Sequence, residues 1–340
     1  MRYKSLALQV TCRAVNQVTT RPAARELMAT TLDRLDEQIR ASKAFIGPDT
    51  RLVVLPEYFL TGFPMGESLA EWRDKACLTM DDPIYGRLGE LAARHDVFLS
   101  GNAYEIDDHF PELYFQISFV IAPSGTLVLR YRRLNSMFAP TPHDVWDRFL
   151  DVYGYDALFP VADTEIGRLA CIASEEILYP EVARCLMMRG AEVLLHSSSE
   201  VGSPLLTQKN VAKLARATEN MAYVVSANSA GIADIGIPHS STDGGSKIVN
   251  YEGLVLAKAG PGESMVANAT IDLAALRHHR RRPAMANFIA RQRCELYAPA
   301  YARAAFSPPN AISRNPAFTK RDFVLNQVRT IEKLATDAII

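Results

Sequence analysis

The sequence has almost no net charge, no long apolar run and no paired cysteines, and each absence removes a class of function. Its 37 lysines and arginines against 38 aspartates and glutamates give a formal charge of −1. Nothing electrostatic therefore draws the chain toward nucleic acid or an acidic membrane surface. The one dense basic cluster, His278-His279-Arg280-Arg281-Arg282, is short. It reads as a solvated helix end or a subunit contact, not a phosphate site. Nowhere do about 18 apolar residues run together, so no membrane span is expected. The stretch from Met1 to Val10 lacks an apolar run of signal-peptide length and reads as a first strand. Cys12, Cys77, Cys171, Cys185 and Cys294 are odd in number and widely spaced, with no C-x-x-C word. That argues against a disulfide framework and a zinc ribbon, and a reducing, cytoplasmic setting is expected. The histidines show no ligand spacing, so no metal is expected. No Gly-x-x-x-x-Gly-Lys word surrounds Ser241-Thr242-Asp243-Gly244-Gly245-Ser246, which reads as a turn and not a phosphate cradle. Gly/Ser linkers and internal repeats are also missing.

What is present suits a large folded core: 340 residues, 48% of them hydrophobic. Apolar runs of strand length occur at Leu6 to Val10, Arg51 to Leu55, Val97 to Ser100, Arg168 to Ala173, Val193 to His196 and Tyr223 to Ala227. Between them, apolar residues at three- and four-residue intervals predict helices over Pro22 to Phe45, Pro83 to His95, Tyr179 to Arg189 and Gln208 to Met221. Pro123-Ser124-Gly125 and Tyr251-Glu252-Gly253 each sit between two strand-like runs, which is a hairpin signal. Alternating strands and helices with inserted hairpins predict an α/β fold of mixed sheets with helices outside. The region from Asn135 to Val161 is long, aromatic and irregular, as lids often are. Its Trp146, Phe149, Tyr153 and Tyr155 are candidates for shaping a pocket or for ordinary packing.

Three polar residues stand where strands end: Glu57 after Leu55-Pro56, Arg133 after Arg130-Tyr131-Arg132, and Ser174 after Leu169 to Ala173. Ligands bind at the loops along one edge of an α/β sheet. A carboxylate, a guanidinium and a hydroxyl gathered there would supply a base, an electrophile and a nucleophile. A glutamate after a strand is more often a cap or a surface residue, so the neighbouring words matter. Leu55-Pro56-Glu57-Tyr58-Phe59-Leu60-Thr61-Gly62-Phe63 resembles the segment around the catalytic glutamate of the nitrilase, or carbon–nitrogen hydrolase, superfamily. Ser124 to Leu134 resembles the segment that carries that family's catalytic lysine. Gly167 to Arg184, with its Tyr179-Pro180-Glu181 word, resembles the nucleophile segment. Arg189 to Leu194, Ala215 to Asn220 and Ser226 to Gly231 continue the likeness, which covers roughly residues 5 to 280 in order.

The resemblance implies a four-layer αββα sandwich. It implies hydrolysis of nitriles, amides or N-carbamoyl compounds without metal or organic cofactor. In such a family a glutamate is general base, a cysteine nucleophile, and a lysine ammonium with a backbone N–H steadies the tetrahedral intermediate. It also implies a homodimer or higher homo-oligomer acting on a small molecule, with a hydrolase-like domain over 1–285 and a C-terminal extension, 286–340, crossing to a neighbour.

Two reacting positions depart from the family's pattern. Counting back from Pro180 gives Ser174 in place of cysteine, and counting from Tyr131 gives Arg133 in place of lysine; Glu57 is kept. A serine hydroxyl is far less acidic than a thiol and needs a well-placed base. Arginine keeps the charge but donates no proton near neutral pH. Asp144, Asp147 and Asp151 are the acidic candidates for the family's second glutamate. Cys171, three residues upstream on a buried strand, reads as packing, as does Cys185. Tyr58, Glu175, Tyr179, Ser198 and Glu200 are the expected substrate-binding residues, with Glu200 either a substrate contact or a structural acid. Two functions follow: amidase-type hydrolysis of a small amide or N-carbamoyl compound at a Glu57–Arg133–Ser174 centre, or a non-catalytic member of the fold that binds a small ligand or a protein partner.

Overall fold

A computed structural model describes residues 1–340 apart from 202, 204, 205 and 316. Strands β1 (Arg2–Ala7) and β2 (Cys12–Arg13) precede helix α1 (Arg21–Ile46) and strand β3 (Thr50–Val54). Next come α2 (Leu69–Ala76), β4 (Leu78–Thr79), α3 (Pro83–Arg94), β5 (Phe98–Ile106), β6 (Phe115–Ile121) and β7 (Leu127–Arg132). The middle of the chain adds α4 (Trp146–Tyr153), β8 (Ala162–Thr164), β9 (Gly167–Ala173), α5 (Pro180–Met188), β10 (Val193–Ser198), α6 (Gln208–Glu219) and β11 (Tyr223–Asn228). It ends with β12 (Ile232–Ala233), β13 (Lys247–Val249), β14 (Val255–Lys258), β15 (Asn268–Asp272), α7 (Leu273–Arg281), α8 (Cys294–Arg303) and α9 (Lys320–Thr336).

Two mixed sheets result, one in the order β15-β1-β3-β5-β6-β7 and one in the order β14-β13-β11-β10-β9-β8. Strand alternation makes the layers. On β3, Leu52 and Val54 face the second sheet and share a core with Leu169, Cys171 and Val225, whereas Val53, and Leu55 just past the strand, pack with the helices outside. A strand buried on both faces reads as a continuous apolar run, which is why Leu52 to Leu55 is one. Helix α1 answers with Ala24, Met28, Leu32, Leu35 and Ile39 buried on a single stripe. Thr20 caps its start and Gly47, at φ 131°, ends it. Helices α1 and α3 cover the first sheet, and α5 and α6 the second, giving the expected αββα order.

The segment expected to be an irregular loop contains helix α4, and its aromatic residues divide. Phe149 is fully buried against Phe110 and Phe115, and Tyr153 stacks on Phe110 and on the Arg132 guanidinium. Trp146 and Tyr155 instead line a cavity of about 1260 Å³ under the C-terminal segment. The basic cluster forms the last turn of α7, where Arg280 bonds the carbonyls of Met221 (2.8 Å) and Ala191 (2.7 Å). Among the described residues no helix is long and apolar enough to cross a membrane.

Candidate functional site

Strands β3, β9 and β10 run the same way within their sheets, so their carboxyl ends lie along one edge. Two bonds join the sheets there: Glu57 N–H to Ser198 O (3.2 Å) and Ser197 Oγ to Leu55 O (2.8 Å). Glu57 is thereby carried over the second sheet and is 0% exposed. Tyr58 follows in left-handed backbone at φ 65°. Behind this turn Phe59 lies against Gly101, where a Cβ would come within 2.8 Å of the Phe59 and Phe119 rings. Glycine at 101 is what allows the Glu57 turn to sit so close to β5.

Around Glu57 the polar groups form a closed array. Gln116 Nε2, on β6, donates to Glu57 Oε1 at 2.7 Å and to Asn102 Oδ1 at 3.2 Å. The Arg133 guanidinium donates to Gln116 Oε1, lies 3.4 Å from Glu57 Oε1, pairs with Glu175, and reaches Asn135 O at 2.7 Å through Nε. Burial disfavours the Arg133 charge, but Glu175 and Glu57 more than offset this and hold its pKa above the ordinary guanidinium value. Glu57 Oε2 is buried and has no hydrogen-bond partner among the described residues, and neither has Ser198 Oγ. Burial, and then the Glu57 charge, push the Tyr58 phenol well above its ordinary value, so it stays a proton donor.

Ser174 terminates β9 at φ 49°, a conformation that costs a non-glycine residue about 1–3 kcal/mol and collects at functional sites. His196 holds it there. Its Nε2 lies 2.8 Å from Ser174 O and its Nδ1 lies 2.8 Å from Ser226 Oγ. A carbonyl only accepts, so Nε2 carries the proton and Nδ1 accepts from the serine. Burial, then Lys213, lower the His196 pKa well below 6.5. Below pH 6.5 the unfolded histidine binds a proton that the folded one refuses, so stability is whole above that value and falls as the pH drops. Replacing His196 by Gln is expected to flatten the decline of the urea midpoint between 6.5 and about pH 5. An unchanged decline would show that other groups cause it.

Glu176, two residues past Ser174, steadies the Arg133 turn: it accepts from Tyr131 Oη (2.7 Å) and from the N–H groups of Leu134 and Asn135 (2.9 Å each). Glu175 and Tyr179 reach the cavity beside Trp146. Glu200 stands at the start of α6, its oxygens taken by Thr207, by Asn210 (3.0 Å) and by Lys213 (2.8 Å). Cys171 is fully buried, its thiol pushed up to about 12 by burial, with Ser100 Oγ 3.9 Å away.

The three aspartates proposed for the second acidic position do not meet Arg133. Asp144 caps its own turn through Thr141 N–H at 2.8 Å, and Asp147 and Asp151 are exposed. Among the described residues the carboxylates that pair with Arg133 are Glu57 and Glu175. Glu176 is marked in the sequence as the acidic residue two past Ser174 in the nucleophile-like word, whereas Gln116, His196 and Lys209 belong to the site without a local word naming them as such. Of these three only Gln116 leaves a trace, as a polar residue inside the apolar strand Phe115–Ile121. Lys209 Nζ lies 3.4 Å from Ser174 Oγ.

The model of the carbon–nitrogen hydrolase family matches residues 10–281. The chain is 29% identical over 225 residues to an (R)-stereoselective amidase of a Pseudomonas species, covering 63% of this chain and 71% of the amidase. A probable nitrilase of Schizosaccharomyces pombe is 24% identical over 226 residues, covering 66% of this chain and 77% of the other. The crystal structure of a carbon–nitrogen hydrolase from Helicobacter pylori superposes with a TM-score of 0.67 at 21% identity, over 89% of this chain and 99% of that one. At that identity the superposition shows the shared fold.

Proposed function

The chain belongs to the carbon–nitrogen hydrolase family, and on that premise we propose that it hydrolyses a small amide or N-carbamoyl compound at the Glu57–Arg133–Ser174 centre. One observation carries the reading: Glu57 is wholly buried with Oε1 held by Gln116, and Oε2 has no hydrogen-bond partner among the described residues. A buried acceptor without a donor is costly unless something enters to meet it. A substrate N–H, an attacking water or the Ser174 hydroxyl is such a donor. Glu57 then acts as base, Ser174 as nucleophile, and Arg133 keeps positive charge beside the developing oxyanion. Tyr58, Ser198, Glu175 and Tyr179 line the approach, the last two from the cavity. Glu200 stiffens the start of α6.

The non-catalytic reading draws on Arg133 itself, whose donors are already held by Asn135, Gln116, Glu57 and Glu175. Ammonia release from a panel of primary amides, N-carbamoyl compounds and nitriles separates the two. Release in proportion to enzyme supports hydrolysis. Silence from folded protein across the panel leaves a binding role.

The segment 286–340 completes the proposal as a contact between copies. Helices α8 and α9 expose Leu296, Tyr297, Tyr301, Leu325, Val328 and Ile331, a density of apolar surface that marks interaction sites. A homodimer or higher homo-oligomer is expected in sedimentation, and a monomer at micromolar concentration would remove this part.

A further inference from the structure

An amide leaves as an amine only if its nitrogen gains a proton as the C–N bond breaks. Arg133 cannot give one near neutral pH. His196 is neutral, with both ring nitrogens engaged. Lys213 is neutralised by Glu200 at 2.8 Å and wholly buried. Lys209 differs from all three: its Nζ lies 3.4 Å from Ser174 Oγ, and among the described residues no carboxylate is within ion-pairing distance of it. We propose that Lys209 is the general acid of this centre, protonating the leaving nitrogen while Glu57 takes the proton of Ser174. The inference rests on the hydrolase reading above.

A separate feature fixes the lysine in place. Thr207 caps α6 through Asn210 N–H at 3.2 Å, which puts Lys209 in the first turn. Further along, Arg216 Nε and Nη2 bond Ile177 O (3.0 Å) and Leu178 O (3.2 Å), clamping α6 onto the turn that begins at Ser174. The ammonium is therefore delivered to the hydroxyl by a rigid element, as an acid that must meet a leaving group requires.

The steps balance. The Ser174 Oγ–H proton passes to Glu57 as Oγ bonds the carbonyl carbon. The Lys209 ammonium gives a proton to nitrogen, the C–N bond breaks, and the amine departs from an acyl-serine. Water then attacks the ester carbon, its proton going to the neutral Lys209 amine. Ser174 leaves with the proton held by Glu57, and the carboxylic acid is released.

The test compares two leaving groups. p-Nitrophenolate departs without protonation, so Lys209→Met is expected to lower ammonia release from the responding amide by about 10²–10⁴-fold, while the pre-steady-state p-nitrophenolate burst from p-nitrophenyl acetate, which reads acylation alone, slows by less than about tenfold. Lys209→Arg, which keeps the charge and holds its proton, is expected to match Lys209→Met. Equal loss on amide and ester, unchanged amide turnover, or rescue by Lys209→Arg would each overturn the role. If Ser174→Ala loses activity and Lys209→Met does not, the hydrolase reading stands and this inference falls. If the native chain turns over neither substrate class, both fall together.

Discussion

Glu57→Gln is expected to lower ammonia release by about 10²–10⁴-fold, the usual contribution of a general base, with the fold intact. The amide is nearly the size of the carboxylate, and its oxygen can still accept from Gln116 Nε2, which lies 2.7 Å from Oε1 in the native chain. Arg133 keeps Glu175 as its counter-ion. What the substitution removes is proton affinity at a fully buried position beside Ser198. The circular dichroism spectrum and the urea midpoint therefore stay close to native while turnover collapses. Full activity in a folded Glu57→Gln protein would show that the reaction uses another base, and the proposed centre would have to be abandoned.

Arg133→Met is expected to be the most destabilising of the site substitutions, at about 3–5 kcal/mol. Arg133 sits between two carboxylates of unequal exposure: the Glu57 side chain is 0% exposed and the Glu175 side chain 34%. Without the guanidinium, Glu175 turns into the cavity and is solvated. Glu57 has nowhere to go and becomes an uncompensated buried charge. Against a total stability of about 5–15 kcal/mol for an ordinary folded chain, such a loss is visible as a large drop in the urea midpoint. The double variant Glu57→Gln/Arg133→Met removes the stranded charge and is expected to recover much of the deficit, a coupling that a double-mutant cycle measures. A midpoint for Arg133→Met within about 1 kcal/mol of native would mean that the pair carries little of the stability the burial implies.

The sequence by itself determined the layers and the edge on which the site stands. Apolar runs buried on both faces specify strands inside a sandwich, and the single stripe of Met28, Leu32, Leu35 and Ile39 specifies a helix laid on one face. Both signals are local, because side-chain direction follows from backbone period alone. Glu57, Arg133 and Ser174 were legible for a related reason: each ends a strand, and each stands in a word of neighbours whose order is itself local. Only the tertiary structure decided which groups meet them. Gln116 lies 59 residues from Glu57 in the chain, and Lys209 lies 35 from Ser174. No pattern within either strand or helix carries those distances; they follow from the strand order of the first sheet, which sets β6 two places from β3, and from the seating of α6 on the second sheet. The same holds for Asp144, Asp147 and Asp151, whose charge type suited a place beside Arg133 but whose helix and turn lead them to a cap and to solvent. Phe149 belongs with them: an aromatic residue in a polar-flanked stretch looks like a lid, and becomes core only when Phe110 and Phe115 arrive from elsewhere in the chain. Local periodicity sets which face a residue presents, and the packing of distant faces sets what that residue can do.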